Sequence, residues 1–214
     1  LVAQPAQRFQ TLNDLVKHKC TIEEMEEYEP HINRGTIVYA GIDYQAIINQ
    51  AEKEADIILW DGGNNDLPFY HTDLLIVVTD PHRAGHEVTY YPGETNLRMA
   101  DVVVINKIDS AKMEDVKALK TTITRVNPSA SIVDAESSIT VEDSNIISGK
   151  TVLVVEDGPT LTHGGMKFGA GIVAAEKFGA SEIIDPRPYT VGKLSETFDH
   201  YPEIGTLLPA MGYG

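Results

Sequence analysis

Short apolar runs rich in β-branched residues set the limits on how this chain can fold. They fall at 36–40, 57–60, 74–79, 102–105, 131–133, 152–155 and 182–184. Most are nearly continuous instead of alternating with polar residues, the pattern of strands covered on both faces, as in a parallel sheet. Helical spacing lies between several of them. Ile47, Ile48 and Ala51 recur within 44–55, and Val116, Leu119, Ile123 and Val126 form one stripe within 114–126, stopped by Asn127-Pro128. A small apolar stretch, 170–178, is closed by Gly179. Strand–helix alternation of this kind predicts an α/β fold of three layers with a mostly parallel sheet. The polar, turn-rich stretch 141–149 predicts a boundary, dividing the chain into 1–148 and a second α/β unit, 149–214. Glu23, Glu24, Glu26, Glu27 and Glu29 predict a solvated helix face.

Charge narrows the function. Seventeen Lys+Arg stand against 32 Asp+Glu, a formal charge of −15. Such a chain lacks the basic face that a general nucleic-acid binder or an electrostatic membrane binder needs. The single cysteine, Cys20, cannot pair within the chain, which fits a reducing, cytoplasmic setting. No apolar run approaches membrane-spanning length.

Two motifs at strand ends carry the chemistry. Asn106-Lys107-Ile108-Asp109 follows the run 102–105 directly. In an N-K-x-D loop of P-loop NTPases the Asp accepts from the base, the Lys lies along the ring, and the Asn ties loops together. The competing reading is a polar strand-to-helix turn. Upstream, the run 57–60 ends in Asp61-Gly62-Gly63, the shape of a Walker B strand, whose carboxylate would hold Mg²⁺ on the nucleotide phosphates. The run 131–133 leads into small residues including Ser137, placed to close over the base. No G-x-x-x-x-G-K-[ST] phosphate loop occurs. Residues 144–151 (S-N-I-I-S-G-K-T) end correctly but have Ser where the first Gly belongs, and Gly149-Lys150-Thr151 precedes a strand instead of opening a helix. The P-loop reading therefore expects its first strand and phosphate loop before Leu1, and expects the chain, which starts without Met, to be a segment inactive by itself.

Longer runs point to a family. Residues 58–66 (I-L-W-D-G-G-N-N-D), 80–87 (D-P-H-R-A-G-H-E), 90–109, 156–171 (E-D-G-P-T-L-T-H-G-G-M-K-F-G-A-G) and 185–189 (D-P-R-P-Y) resemble the cyclic 2,3-diphosphoglycerate synthetase family, often described as predicted GTPases. The resemblance implies an N-terminal domain and P-loop ahead of this region. It also implies formation of an intramolecular phosphoanhydride from 2,3-bisphosphoglycerate with ATP and Mg²⁺. An ATP requirement sits at odds with a guanine-type N-K-x-D, so ATP and GTP both stay open.

Within that frame Arg83, at the end of the 74–79 strand, is a candidate phosphate clamp, a charge-assisted contact worth about 1.5–3 kcal/mol. His82 and His86 are candidates for phosphate contact or proton transfer. The alternatives are a salt-bridge network with Asp80 and Glu87, or a His82/His86 metal pair. Glu94 is a candidate metal ligand and Arg98 a phosphate contact, against a plain structured turn. The Gly-rich stretch 158–165 before the 170–178 helix suggests an anion cradle completed by Thr160, Thr162, His163 and Lys167, and Arg187 between two prolines is a rigidly presented guanidinium. The pattern at 169–174 (G-A-G-I-V-A) lies too far from its strand for dinucleotide binding. Trp60, Tyr39 and Phe168 are expected in the core. The expected catalytic set is Asp61, Arg83 and His86. Asn106, Lys107, Asp109 and Ser137 would hold the nucleotide, His82, Arg83, Arg98, His163, Lys167 and Arg187 the substrate, and Asp61 and Glu94 the metal. The expected partners are a nucleotide and a small phosphorylated substrate, in a homo-oligomer. The alternative is a GTP-driven switch or metallochaperone-like GTPase.

Overall fold

Residues 5–63, 66–157, 161 and 167–210 are described by the computed structural model. They divide into two contact units. The first comprises 1–79, 83–104 and 117–133; the second comprises 80–82, 105–116 and 134–214.

The first unit begins with a strand that sequence periodicity did not mark. Ala6–Phe9 (β1) runs antiparallel to Val38–Gly41 (β2), pairing Ala6 with Gly41 and Phe9 with Val38. Between them lie Leu12–Lys17 (α1) and Ile22–Asn33 (α2). The acidic run does form a helix, α2. A capping box starts it: Glu24 N–H donates to Thr21 Oγ1 (3.2 Å), and Thr21 N–H to Glu24 Oε2 (2.8 Å). Phe9, Leu15 and Ile32 are buried together, with Met25, Tyr28 and Cys20 packed against them. Gly41 is required where it stands: its φ is +152°, and a Cβ there would lie 2.2 Å from the Pro5 carbonyl oxygen.

Tyr44–Ala51 (α3) starts on the Asp43 side chain, which accepts from Ala46 N–H. It ends four residues before the expected 55. Just beyond it the chain turns through Lys53 N–H to Gln50 O and Glu54 N–H to Ala51 O, and Glu54 is held by Arg8 Nε (2.7 Å) and Nη2 (2.6 Å) and by the Tyr39 hydroxyl. The expected strand at 57–60 does not form. Ile57 is 79% and Leu59 85% exposed, and the run pairs with no strand among the described residues. Strands are made by their neighbours' hydrogen bonds, so apolar content alone does not fix one.

Ile76–Thr79 (β3), Val102–Ile105 (β4) and Ser131–Asp134 (β5) make a parallel three-stranded sheet in the order β3-β4-β5, the α/β architecture the alternation predicts. Asp101 ties the strand starts together. Its N–H donates to Leu75 O, its Oδ2 accepts from Leu75 N–H, and its carbonyl accepts from Ser131 N–H. Gly93–Met99 (α4), where the alternative to a site loop was a structured turn, precedes β4, and Met113–Val126 (α5) follows it. Leu97, Ala100, Val103, Leu119 and Ile123 are buried, as the stripe on α5 predicts. Asn127, the expected stop, is itself buried: its Nδ2 donates to Leu97 O (2.9 Å) and Ala100 O (2.8 Å), joining the end of α5 to the end of α4. The alternate residues of β3, Ile76 and Val78, stay more than half exposed.

In the second unit the expected strand 152–155 is two strands. Thr151–Val152 (β6) and Val155–Asp157 (β7) are followed by the helix Ala170–Lys177 (α6), the strand Glu182–Ile183 (β8), the helix Lys193–His200 (α7) and the strand Leu208–Ala210 (β9). Val152 O accepts from Ile184 N–H, whereas Val154 O accepts from Leu208 N–H. The partner thus changes from β8 to β9 within three residues, and that exchange breaks the strand. Both pairings are parallel. Val154, Leu161, Ile172, Ala175, Phe198, Ile204 and Leu207 form this unit's core. Phe168, expected there, is 43% exposed, and Trp60 and Tyr39 in the first unit are half-buried.

Glu156 is buried and binds the start of α6, its Oε1 accepting from Gly169 N–H (3.1 Å) and Ile172 N–H (2.9 Å). A Cβ at Gly169 would lie 2.5 Å from Glu156 Oε2, and one at Gly171 2.8 Å from Val154 Cγ1. The glycines make room for the protein's own carboxylate. Among the described residues no helix is long and apolar enough to cross a membrane.

Candidate nucleotide site

The loop after β4 is built around Lys107. Its φ of +57° is unusual for a residue with a side chain, at a cost of about 1–2 kcal/mol. Its carbonyl accepts from the N–H groups of Ser110 and Ala111 and from Ser110 Oγ, closing the turn. Its Nζ donates to Asp80 Oδ2 at 2.8 Å. Asp80, the residue after β3, also accepts from His82 N–H through Oδ1 (3.0 Å). The His82 ring meets Ser110 Oγ, Nε2 to Oγ 2.9 Å, so the contacts close a ring through Lys107, Asp80, His82 and Ser110. Burial pushes the Asp80 carboxyl up, but the Lys107 bond, the His82 amide and the positive charges of both residues outweigh it. The net result lies below the ordinary value of 3.8.

The loop after β5 joins the same place. Ala135 N–H donates to Ile105 O, Ile108 N–H to Ala135 O, and Ser137 N–H to Asp109 Oδ1 (3.2 Å). Asp109 is therefore oriented by the segment after β5, the one expected to close over a base. Asn106 is half-buried beside it in sequence, at the end of β4. Asp80 and Ser110 are the members the sequence did not single out as partners of Lys107. The signal available was the position of Asp80 at the carboxyl end of an apolar run, where α/β sites collect.

The remaining marked residues are placed separately. Asp61 is exposed in irregular backbone of the first unit. Arg83, also there, is half-buried and engaged, closing a 3₁₀ turn over Pro81–Arg83. His86 lies edge-on to Tyr90 at 5.2 Å, and Glu87 Oε2 accepts from Gly85 N–H. Glu94 and Arg98 bind each other one helical turn apart (2.6 Å). In the second unit Arg187 is committed to its own fold: Nη1 to Asp185 (3.0 Å), Nη2 to the Ile204 carbonyl, and the guanidinium over Phe198 at 5.0 Å. Lys167 is exposed and lines a cavity of about 300 Å³ with Phe168, Ile172, Glu176 and Thr206. The N–H groups of Gly169 and Ile172, part of the expected anion cradle, are occupied by Glu156. His163, Thr160 and Thr162 lie outside the described residues. Among the described residues no three His, Cys, Asp or Glu side chains gather as a metal site.

This loop lies within a stretch that matches a known family. Residues 34–136 match the family model described as cyclic 2,3-diphosphoglycerate synthetase, P-loop domain. Arginine synthetase ArcE of Thermococcus kodakarensis is 64% identical over 99% of this chain and 47% of its own length. The cyclic 2,3-diphosphoglycerate synthetases of Pyrococcus furiosus and Thermococcus onnurineus are 29% and 30% identical over 44% and 42% of the chain, and over 23% and 22% of their own lengths. The chain thus spans about half the length of the arginine synthetase.

Proposed function

Because the chain belongs to the cyclic 2,3-diphosphoglycerate synthetase family, we propose that it forms part of a nucleotide-dependent synthetase whose product is arginine. The observation that carries the nucleotide part is the joined pair of loops, with Asp109 oriented by Ser137 and Lys107 by Asp80. Asp109 accepts from the base and Lys107 lies along it, while Ser137 closes the base pocket. In this reading residues 1–148 hold the nucleotide-handling core and 149–214 a second α/β unit. The exposed run 57–60 ends in Asp61, the Walker B-type carboxylate of this reading. Mg²⁺, when bound there, shields the phosphate charge. Asp61 is the carboxylate positioned by sequence to meet it, and Glu94, already held by Arg98, is the weaker candidate.

The chemistry shared by both named reactions is phosphoryl activation. The γ-phosphoryl group of the nucleotide passes to a substrate oxygen, leaving the diphosphate. A second nucleophile then displaces that oxygen as inorganic phosphate: ammonia attacking a phosphorylated ureido carbon would yield the guanidinium of arginine, and the substrate's second phosphate would close the cyclic anhydride. Two facts favour arginine over the cyclic phosphoanhydride. The identity to the arginine synthetase runs along nearly the whole chain, and a charge of −15 suits a cation better than a multiply phosphorylated acid. The family's own name favours the second reading, 2,3-bisphosphoglycerate with Arg83, His82 and Arg98 as phosphate contacts.

Reversal separates the two. Given L-arginine, nucleoside diphosphate and inorganic phosphate, the full-length protein should form nucleoside triphosphate. Triphosphate formation with cyclic 2,3-diphosphoglycerate and none with arginine would overturn the arginine reading. Running adenine and guanine nucleotides in parallel identifies the base.

A further inference from the structure

Four aromatic rings of the first unit cluster beside Asp61. Tyr44 and Phe69 are stacked, 4.9 Å apart with planes inclined by 16°. Trp60 stands at 80° to Phe69, and Tyr70 at 87° to Tyr44 and 81° to Trp60. The cluster is pinned at two points. The Tyr70 hydroxyl donates to the Tyr44 carbonyl (2.8 Å), and the Trp60 ring lies against Gly62, where a Cβ would come within 3.1 Å of it. Yet it is not core: Phe69 is 64% and Tyr44 41% exposed. Phe69 is stacked on Tyr44 and has Trp60 at right angles to it, and more than half of its surface is open to solvent. Rings fixed at right angles with this much surface exposed are a costly arrangement for solvent alone and a suitable one for a flat cation.

Charge selects the ligand. From residue 43 to 73 the sequence carries seven acidic residues (43, 52, 54, 56, 61, 66 and 73) against one basic residue, Lys53, and among the described residues only Glu54 of the seven is paired with an arginine from outside the stretch, Arg8. Such a field draws a cation and repels an anion. A guanidinium is planar, weakly hydrated and stacks on aromatic faces. We propose that the exposed surface of Phe69, framed by Trp60, Tyr44 and Tyr70, receives the guanidinium of the amino-acid ligand. This rests on the arginine reading for the identity of the ligand, while the preference for a flat cation follows from the rings and the charge alone.

Calorimetric titration of the full-length protein tests it, using L-arginine, its neutral analogue with one guanidinium nitrogen replaced by oxygen, and nucleotide. Arginine should bind more tightly than the neutral analogue. Phe69→Leu, which keeps apolar bulk and removes the ring, should weaken arginine roughly five- to thirtyfold, and Phe69→Trp should restore it. Nucleotide affinity should be unchanged in both. Equal arginine affinity in Phe69→Leu, or parallel losses for arginine and nucleotide, overturns the proposal. A change in Trp60 emission on adding arginine, read as the difference between wild type and Trp60→Phe, supports it without altering Phe69, and no change counts against it. If arginine drives no triphosphate formation but still binds in a Phe69-dependent way, the functional reading falls and the platform stands. If it drives triphosphate formation and Phe69→Leu binds it normally, the platform falls alone.

Discussion

Asp80→Ala should loosen the nucleotide loop by an amount that can be worked from its bonds. Two contacts disappear: the charge-assisted bond from Lys107 at 2.8 Å and the amide bond from His82 at 3.0 Å. The side chains of Lys107 and Asp80 are 42% and 27% exposed, so solvent screens the ion pair. It contributes about 1 kcal/mol, and the amide bond about 0.5–1 kcal/mol. The sum, about 1.5–2 kcal/mol, is comparable with the cost of the left-handed backbone at Lys107, which the loop must otherwise hold through Ser110, Ala111 and the bonds to the β5 loop. Urea unfolding of the full-length protein should register the loss, and nucleotide binding should weaken about five- to tenfold as Lys107 gains freedom. Asp80→Asn keeps an acceptor for His82 and should fall between. The sign with pH follows from the depressed carboxyl. The pair contributes fully above the unfolded value near 3.8 and is lost as pH falls through the lower folded value. Asp80→Ala should therefore match the wild type in the acid limit and diverge from it above pH 4. An Asp80→Ala protein with unaltered unfolding and nucleotide affinity at neutral pH would refute the reasoning.

Other outcomes follow from single contacts. Asp61→Asn, at an exposed position, should abolish Mg²⁺-dependent turnover of the full-length protein with little change in its unfolding midpoint; unchanged turnover removes Asp61 from the metal role. Gly41→Ala should destabilise by several kcal/mol, about 3 or more, because its Cβ meets the Pro5 carbonyl in a backbone conformation suited to glycine. A thermal midpoint within a degree of wild type would contradict that geometry. Glu156→Gln keeps one acceptor for the start of α6 and should cost about 1–2 kcal/mol in denaturant unfolding, with Glu156→Ala costing more.

The sequence made the sheet legible where strands have neighbours. The run 102–105 is β4 to the residue, and Val116, Leu119 and Ile123 fall on the buried side of α5, because period and burial agree there. It misled where pairing decides. The run 57–60 has a strand's composition without a partner, and 152–155 splits because its two halves answer to different neighbours. β1 escaped notice because Ala6–Phe9 is only four residues long and its adjacent Gln7 and Arg8 break the apolar alternation, although Gln7 is buried. The position of the 106–109 loop at the end of β4 was readable from its tetrapeptide and its strand. The partner of Lys107 was not, since Asp80 lies 27 residues earlier and meets it only through the fold.

Glu156 also bears on how the segment after β7 can vary. Its carboxylate fills the space that side chains at 169 and 171 would need, so these three positions form a single steric unit. Alanine at 169 alone collides with Glu156, and a shorter acid at 156 alone withdraws from the amides of α6. Made together, Glu156→Asp and Gly169→Ala relieve each other's fault in part, and the double variant should be more stable than the sum of the single losses. Relatives that lose the glycine should have changed the acid as well. The Gly-x-Gly pair is in that sense a record of a side chain inside the protein, and a search for nucleotide-binding proteins that scores the glycines by themselves will misread it.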